Sequence, residues 1–255
     1  MSEKKSHNIS NARLKAIYKL LNDIGISKKE KNLIKANEAL YIPIIHESLT
    51  HTSANLSQNH EKLEFLGDAV LRLAASEYIE EFFSELTVGD RSALRSQIVS
   101  DEWLAKLGQK IEINEIMLIG SKAEKDRAAL ETICAEGTEA LIGAIYKCFK
   151  DLKIIKTWLS TEWDITSKDV LNDPYKLNSK SALQEWSQGK RLNKPVYEIQ
   201  EVSKQHGDKK RFLCKVFVNK NMLGQAFGSS IKNSEKEAAR IALDTIKKIK
   251  QFEDS

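Results

Sequence analysis

The chain has 255 residues, of which 41% are hydrophobic and 30% charged, a composition typical of a globular protein with a sizeable buried core. No apolar run approaches the roughly 18 residues of a membrane span, and the N-terminus leads into amphipathic sequence, so we expect no membrane partner and no signal segment. The three cysteines, Cys134, Cys148 and Cys214, lie far apart. This spacing argues against a disulfide framework or a cysteine-bound zinc, and it favours a cytoplasmic location.

The net charge of +4 is unevenly distributed along the chain. From Leu171 onward, 17 lysines and arginines stand against 10 aspartates and glutamates, which gives +7. Before Leu171 the count is 23 against 26, which gives −3. An acidic front part and a basic back part indicate separate roles, and the basic part is a candidate for contact with polyanions.

Helical periodicity dominates the front part of the chain. Apolar residues recur at three and four apart through Leu14–Ile26, Glu61–Phe83, Ser92–Leu107 and Thr132–Phe149. This spacing predicts an all-α domain over residues 1–165. A stretch rich in Ser, Asp and Asn follows, with Pro174 and no apolar periodicity, and it predicts a linker over residues 166–177.

The pattern changes after this linker, and a small α+β domain is predicted over residues 178–250. Ser179–Gln188 is typical of a short helix, and three strands with polar turns follow at Val196–Val202, Arg211–Val218 and Met222–Phe227. Ser234–Lys250 predicts a closing helix. Its buried stripe is expected to consist of Ala238, Ala239, Ala242, Leu243 and Ile246. The predicted order is α-β-β-β-α.

The stretch Glu61–Leu71 predicts a buried helix that carries acids. Apolar residues, Phe65 and Leu73 among them, occupy most of its circumference, yet Glu61, Glu64 and Asp68 recur at i, i+3 and i+7 on one face. Burial of like charges costs several kcal/mol per ion unless they are compensated. Arg72, one turn after Asp68, offsets at most one of them, so a bound divalent cation is the favoured compensation.

A second helix, Ile133–Tyr146, is also apolar nearly all round and carries Glu136 and Glu139 one turn apart. Gly67, Gly137 and Gly143 lower helix propensity, and close approach of the two helices best explains their presence. Five facing carboxylates, with no cysteine or histidine between them, suit a hard cation such as Mg²⁺ or Mn²⁺. The competing interpretation is that these acids are solvated surface residues. Two acid stripes on otherwise apolar helices favour the metal site.

The residue strings resemble those of the bacterial ribonuclease III family. Glu61–Leu71, EKLEFLGDAVL, is very similar to the signature motif of that family, and Glu139–Tyr146, EALIGAIY, is similar to its second acidic motif. Leu49–Ser53 and Leu94–Ser100 also resemble family segments, in the expected order. The resemblance covers nearly the whole chain. It implies an all-helical endonuclease domain that forms a homodimer, followed by a double-stranded RNA-binding domain.

The resemblance also assigns site residues. Glu64, Asp68, Glu136 and Glu139 match the metal-binding carboxylates of the family, and Asp68 and Glu139 match the positions that are essential for catalysis. Glu61 matches an acid associated with substrate contact and dimer architecture. Bacterial members usually have aspartate where Glu136 stands, and the extra methylene leaves open whether Glu136 meets the metal directly or through water.

Five residues of the C-terminal domain match RNA-contacting positions of the family: Lys180, Gln184, His206, Lys232 and Lys236. Such a domain contacts 2′-hydroxyls and phosphates of A-form duplexes. The match departs from the family at Asn233, where a second basic residue is usual, and at Glu235, where alanine is favoured. Somewhat weaker phosphate binding is therefore expected. For any one lysine, a solvated surface charge is the competing interpretation.

The function implied by the resemblance is Mg²⁺-dependent hydrolysis of double-stranded RNA, with Mn²⁺ as a substitute for Mg²⁺. Its products carry 5′-phosphate and 3′-hydroxyl ends, and its substrates are ribosomal RNA precursors and structured messenger RNAs. Two alternatives are a duplex-RNA-binding protein that no longer cuts and a helical phosphohydrolase acting on small nucleotides. The retained acids count against the first alternative, and the basic C-terminal domain counts against the second.

Other polar and aromatic residues receive weaker assignments. His51 is assigned a structural role, because the acids and a metal-activated water suffice for the chemistry. For Arg91, Arg95 and Lys122, RNA contact and simple solvation remain equally open. The tryptophans are expected in the core, since tryptophan is usually highly buried: Trp103, Trp158, Trp163 and Trp186.

Overall fold

Helices form nearly all the regular structure of the front part, as the apolar spacing predicted. The computed structural model describes residues 9–124, 126–172, 174–205 and 207–253. The chain divides into two compact units, 1–167 and 168–255. The helices before residue 172 are α1 Asn11–Asp23, α2 Lys28–Ala36, α3 Glu38–Ser48, α4 Glu61–Phe82, α5 Val88–Ile98, α6 Asp101–Lys110, α7 Ile113–Ile116, α8 Arg127–Phe149 and α9 Leu152–Leu171.

Side-chain caps explain where several of these helices begin. The periodic stretch Ser92–Leu107 is split into α5 and α6, because the Ser100 hydroxyl accepts a hydrogen bond from the Trp103 backbone N–H at 3.2 Å. This bond satisfies one of the free amide groups at the start of α6. Thr87 caps α5 in the same way, through the Asp90 backbone N–H at 3.2 Å.

Two of the four tryptophans, Trp103 and Trp163, lie in the core of the first unit, as expected. Trp163 is fully buried, and its indole N–H donates to the Ile98 carbonyl at 2.9 Å. Trp103 is 8% exposed and stacks on Trp163 with ring centroids 6.2 Å apart. Trp158 is half-buried. Trp186 is also half-buried, and it packs against the hydrophobic core of the second unit.

Helices α4 and α8 pack at backbone contact, and glycines permit it. A Cβ atom at Gly67 would overlap the Glu139 carbonyl, and one at Gly143 would overlap the Leu63 carbonyl. The predicted role of these two glycines is therefore confirmed. Gly137 differs, since a Cβ there would overlap the Met117 side chain and not helix α4.

The prediction that α4 is apolar and buried nearly all round is wrong for one face. Phe65 is 84% exposed and Leu73 is 55% exposed. The buried face carries Leu63, Gly67, Val70 and Leu71 among others. Periodicity alone did not separate the face that packs on α8 from an apolar face that nothing covers within this chain.

The second unit has the predicted α-β-β-β-α order. Its elements are α10 Pro174–Gly189, β1 Val196–Glu201, β2 Phe212–Val218, β3 Asn221–Gly228 and α11 Ile231–Glu253. The strands form an antiparallel sheet in the order β1-β2-β3. Asn219 and Lys220 join β2 to β3 with φ values of +49° and +68°, as expected for a tight two-residue hairpin turn.

One face of the sheet packs against α10 and α11. The predicted stripe of α11 is buried in this core, whose members are Leu183, Cys214, Val216, Ala238, Ala239, Ala242, Leu243 and Ile246. The residues predicted as a linker are largely helical, because α9 continues to Leu171 and α10 begins at Pro174. In the described parts of the chain, none of the helices is both long and apolar enough to cross a lipid bilayer.

Substitution of Gly67 or Gly143 by alanine is expected to lower the free energy of unfolding by about 1–3 kcal/mol, because the added methyl group must separate α4 from α8. Urea denaturation followed by tryptophan fluorescence measures this. Gly89→Ala is the matched control, since a Cβ there meets only the Thr87 hydroxyl at 3.7 Å. Equal stability of all three variants would contradict the close packing.

Candidate functional site

The predicted acids line one cleft beside the contact of α4 and α8. Its volume is about 580 Å³, and its lining consists of His51, Thr52, His60, Glu61, Glu64, Phe65, Asp68, Glu136 and Glu139. Because α4 presents its acids at i, i+3 and i+7, they stack along one wall. Glu136 and Glu139 lie one turn apart on α8, so they face the same cleft.

Arg72 engages Asp68, as predicted. Its guanidinium donates to the Asp68 carboxylate at 2.6 Å, one helical turn away on α4. Both side chains are about half exposed, at 55% and 44%, so water screens the pair. Arg72 therefore orients Asp68, and it pairs with none of the other acids of the cleft among the contacts that the structure describes.

Glu139 has the most unfavourable surroundings for a charge. Burial, and after it the neighbouring Asp68, Glu64 and Asp101 carboxylates, together raise the pKa of Glu139 to about 8. The pKa of Glu64 is also raised, first by burial and then by Glu136. Loss of solvation and repulsion between like charges act in the same direction at both groups.

Two histidines lie at the Glu136 end of the cleft, where the sequence prediction had none. His51 Nε2 and His60 Nε2 each lie 3.4 Å from the same Glu136 oxygen. His60 Nε2 also lies 3.3 Å from a Glu64 oxygen. The hydrogen bond from His60 lowers the pKa of Glu136, whereas burial lowers the pKa of His51. Glu136 is thus compensated in a way that Glu139 is not.

His60 and Asp101 were missed by the sequence reasoning. His60 directly precedes α4 and lies at i−4 from Glu64, a spacing that would have indicated contact. Asp101 begins α6, and only the fold brings it within electrostatic range of Glu139.

The donor chemistry of the cleft fits a divalent cation. Glu64, Asp68, Glu136 and Glu139 provide carboxylate oxygens, which hard cations prefer. The pKa of Glu139 is raised first by burial and then by neighbouring carboxylates, and a bound cation would relieve both the lost solvation and the repulsion. His51, His60 and Glu136 also form a group whose ligand atoms all lie within 4.8 Å of one another.

The second unit carries a basic region around the start of α11. Lys232 is exposed, and Lys236 is half-buried, with its pKa lowered chiefly by burial. Gln184 is exposed on α10. His206 lies outside the described residues.

Lys180 is held by Glu235, the residue at which the resemblance implied alanine. Its ammonium group lies 2.5 Å from the Glu235 carboxylate and 4.9 Å from the centre of the Tyr197 ring. Glu235 belongs to the first turns of α11, so this pair joins α10 to α11 at the basic region.

Arg91 and Arg95, for which RNA contact and solvation were equally open, both make contacts within the first unit. Arg91 donates to the Leu86 carbonyl at 2.9 Å and pairs with Glu80. Arg95 donates to the Ser76 hydroxyl at 2.8 Å. Lys122 is exposed.

Comparison with known families assigns both units. Residues 37–157 match the family described as Ribonuclease-III-like, and residues 179–246 match the double-stranded RNA binding motif. Ribonuclease 3 of Prochlorococcus marinus is 58% identical over 235 residues, which cover 92% of this chain and 94% of that protein. Ribonuclease 3 2 of a Nostoc species is 37% identical and covers 76% of this chain and 81% of that protein.

Two solved structures are also similar. The nuclease domain of ribonuclease III from Campylobacter jejuni, in a structure concerned with flexibility of a region involved in dimer formation, is 30% identical with a TM-score of 0.48. It covers 58% of this chain and 94% of that one. Dicer from Pichia stipitis is 24% identical with a TM-score of 0.43, and covers 78% of this chain and 92% of that one.

Glu139 generates a prediction for the pH dependence of stability. Its pKa of about 8 lies above the ordinary value of 4.5, so the folded state binds a proton that the unfolded state releases between these values. Stability of the metal-free protein therefore falls as pH rises through this window. Glu139→Gln removes the effect, and we expect it to stabilise the protein by about 1–2 kcal/mol at pH 8.5, after allowance for solvent screening.

Urea denaturation in the presence of a chelator, at pH 5.5 and pH 8.5, measures this difference. The control is Glu115→Gln, which changes an exposed glutamate on α7. The stability gain of Glu139→Gln should be much smaller at pH 5.5. The same gain at both pH values would contradict the raised pKa of Glu139.

Proposed function

Because the chain belongs to the ribonuclease III family of double-stranded-RNA endoribonucleases, we propose that it hydrolyses phosphodiester bonds of duplex RNA in a Mg²⁺-dependent reaction. The convergence of Glu64, Asp68, Glu136 and Glu139 on one cleft is the observation that carries this proposal. We propose that Mn²⁺ substitutes for Mg²⁺, since both accept oxygen ligands. The products would carry 5′-phosphate and 3′-hydroxyl ends.

The four carboxylates would hold the cation, and Asp68 and Glu139 are proposed as the essential pair. When bound, the cation supplies activation of water for in-line attack and neutralises charge that develops on the phosphoryl and leaving oxygens. Arg72 keeps the Asp68 carboxylate oriented by its 2.6 Å hydrogen bond. With a pKa of about 8, the Glu139 carboxyl would hold a proton at neutral pH in the metal-free protein and would have to lose it in order to act as a cation ligand.

Duplex RNA is proposed to dock on the C-terminal unit through Lys180, Gln184, His206, Lys232 and Lys236. The exposed Lys232 and the start of α11 support this role, because ammonium groups and a helix N-terminus both attract phosphates. We propose residues 1–165 as the catalytic domain and 178–250 as the RNA-binding domain. Residues 166–177 would then connect them through the end of α9 and the start of α10.

Ribosomal RNA precursors and structured messenger RNAs are proposed as substrates, and the cytoplasm as the location. Long duplex stems in such transcripts offer the A-form geometry that a double-stranded RNA-binding domain recognises. The cytoplasmic location is supported by three free and buried cysteines, as expected in a reducing compartment: Cys134, Cys148 and Cys214.

We also propose that the chain acts as a homodimer, with Glu61 near the dimer interface and the RNA. Phe65, Ala69 and Leu73 recur at i, i+4 and i+8 on α4, so they form one exposed stripe beside the acids. Phe65 is 84% exposed, and a large apolar side chain so exposed favours burial against a partner. Two catalytic clefts in one dimer would cut opposite strands of a duplex.

The central test of the activity is Asp68→Asn. Cleavage of a long RNA duplex in Mg²⁺ is expected to fall by about 100-fold or more, because the cation loses one charged ligand, while duplex binding persists. Gel analysis of the products and a filter-binding assay measure the two quantities. Glu77→Gln, on the same helix but paired with Lys156 at 3.5 Å, is the control with unchanged cleavage. Undiminished cutting by Asp68→Asn would overturn the proposed site.

The RNA-binding proposal predicts that Glu235 limits affinity. Glu235→Ala frees Lys180 from its 2.5 Å ion pair, and we expect duplex RNA to bind about two- to fivefold more tightly at fixed salt. In a Lys180→Gln background, Glu235→Ala should increase the affinity for duplex RNA clearly less, because this background has no ammonium group to release. An equal gain in both backgrounds would mean that Glu235 acts only through general charge, and the proposed link to Lys180 would fall.

The homodimer predicts a role for Phe65 in association. Phe65→Ala should raise the dimer dissociation constant by about tenfold or more, since buried aromatic anchors dominate interfaces. Sedimentation equilibrium measures it, and Leu40→Ala is the control because Leu40 is also exposed, at 59%, but lies on α3. A monomeric wild-type protein, or dimers equally strong in both variants, would contradict this interface.

A further inference from the structure

Glu136 is the carboxylate at which the site departs from the family pattern, and it lies between two imidazoles. His51 Nε2 and His60 Nε2 are each 3.4 Å from its Oε2 atom. The two rings lie 4.9 Å apart between centroids, with 31° between their planes. Whether these nitrogens donate to Glu136 or bind a cation depends on where each ring carries its proton.

The surroundings of His51 place its proton on Nε2. Its Nδ1 accepts the Ser53 backbone N–H at 3.1 Å, so that nitrogen offers a lone pair. The Ser53 hydroxyl lies 2.7 Å from the same Nδ1, and its oxygen accepts the Gly120 backbone N–H at 2.9 Å. The hydroxyl proton is therefore free to point at Nδ1 as well. The remaining ring N–H, on Nε2, points at Glu136.

The same tautomer follows for His60 from a different constraint. Its side chain is 2% exposed, and its Nδ1 is buried with no hydrogen-bond partner among the residues that the structure describes. A proton on Nδ1 would bury an unpaired N–H and aim the Nε2 lone pair at the Glu64 and Glu136 carboxylates, which is doubly unfavourable. A proton on Nε2 gives that N–H two carboxylate acceptors, at 3.3 Å and 3.4 Å.

We propose that His51 and His60 are positioning residues that hold the Glu136 carboxylate by two Nε2–H donors and do not themselves bind the cation. This inference rests on the proposed function. An extra methylene gives glutamate one more rotatable bond than aspartate, and two fixed donors remove that freedom. Hydrogen bonds to ligand carboxylates typically contribute 10- to 100-fold in metal affinity. The pair would therefore hold the longer glutamate side chain in one orientation toward the cleft.

Direct binding of a cation by the same three side chains is the competing outcome. Their ligand atoms lie within 4.8 Å of one another, a span that suits imidazole-binding ions such as Zn²⁺. Such binding needs both Nε2 lone pairs. His51 would then lose the Ser53 N–H bond, and His60 would bury an unpaired Nδ1–H.

The first experiment reads the tautomers directly. Long-range ¹H–¹⁵N spectra of the full chain with labelled histidine, at pH 8, distinguish Nε2–H from Nδ1–H in neutral imidazoles. His51→Asn and His60→Asn variants assign the signals. Nε2–H is expected for both rings without Mg²⁺ and with it. An Nδ1–H tautomer at either ring, or loss of the Nε2–H form on addition of Mg²⁺, would overturn the proposal.

The second experiment measures Mg²⁺ binding to the free protein by calorimetry. His60→Ala should weaken binding by about tenfold, whereas His60→Gln should retain most of it, because the glutamine amide keeps an N–H donor near the Nε2 position. In a Glu136→Asp background the effect of His60→Ala should become smaller, since the shorter carboxylate no longer reaches His60 and only the contact of His60 with Glu64 remains. In cleavage assays, His60→Ala should need a higher Mg²⁺ concentration to reach its half-maximal rate. Its KM for duplex RNA at saturating Mg²⁺ should stay unchanged.

The outcomes separate this inference from the proposed function. A wild-type protein that cuts duplex RNA with Mg²⁺, together with a His60→Ala variant that binds Mg²⁺ as tightly as wild type, would defeat the inference alone. Equal weakening by His60→Ala and His60→Gln would also defeat it, because a lost ligand, and not a lost donor, would then be the cause. A wild-type protein that neither binds Mg²⁺ nor cuts RNA would defeat the proposed function.

Discussion

The contact between helices α4 and α8 is the constraint on which the candidate site depends. Gly67 meets the Glu139 carbonyl and Gly143 meets the Leu63 carbonyl, so two backbones touch where most helix pairs are held apart by side chains. The acids of both helices consequently reach one cleft of about 580 Å³. A wider separation would give each carboxylate its own shell of water and remove the repulsion that calls for a cation.

The cleft has two electrostatically different ends. At one end, burial and the negative charges of Asp68, Glu64 and Asp101 raise the pKa of Glu139, and the positive charge of Arg72 opposes this rise. At the other end, two imidazole N–H groups compensate Glu136 and its pKa is lowered. The charged form of glutamate is therefore disfavoured at one end of the cleft and favoured at the other. A bound cation would stabilise the site most beside Asp68 and Glu139. This asymmetry agrees with the essential roles that the family resemblance implies for these two acids.

The RNA-binding unit has all the elements of the α-β-β-β-α fold, and an acid pairs with one lysine of its basic surface. Its core closes around small residues of α11, which lets that helix lie directly on the sheet: Ala238, Ala239 and Ala242. Close packing also brings Glu235 within 2.5 Å of Lys180, so part of the positive charge is held inside the unit. Binding of duplex RNA is then expected to depend on the other lysines and on displacement of this ion pair.

The sequence by itself determined the order of elements, the acidic stripes and the family. Helical periodicity, strand alternation and turn residues are local signals, and the spacing of Glu61, Glu64 and Asp68 follows from 3.6 residues per turn. Tertiary structure alone decided which apolar face of α4 is covered, that His51 and His60 converge on Glu136, and that Asp101 acts electrostatically on Glu139. These outcomes depend on contacts between residues distant in the chain, and periodicity carries no information about such distances. The protonation of each site residue is likewise set by its neighbours in space, so no motif could have revealed that Glu139 and Glu136 differ.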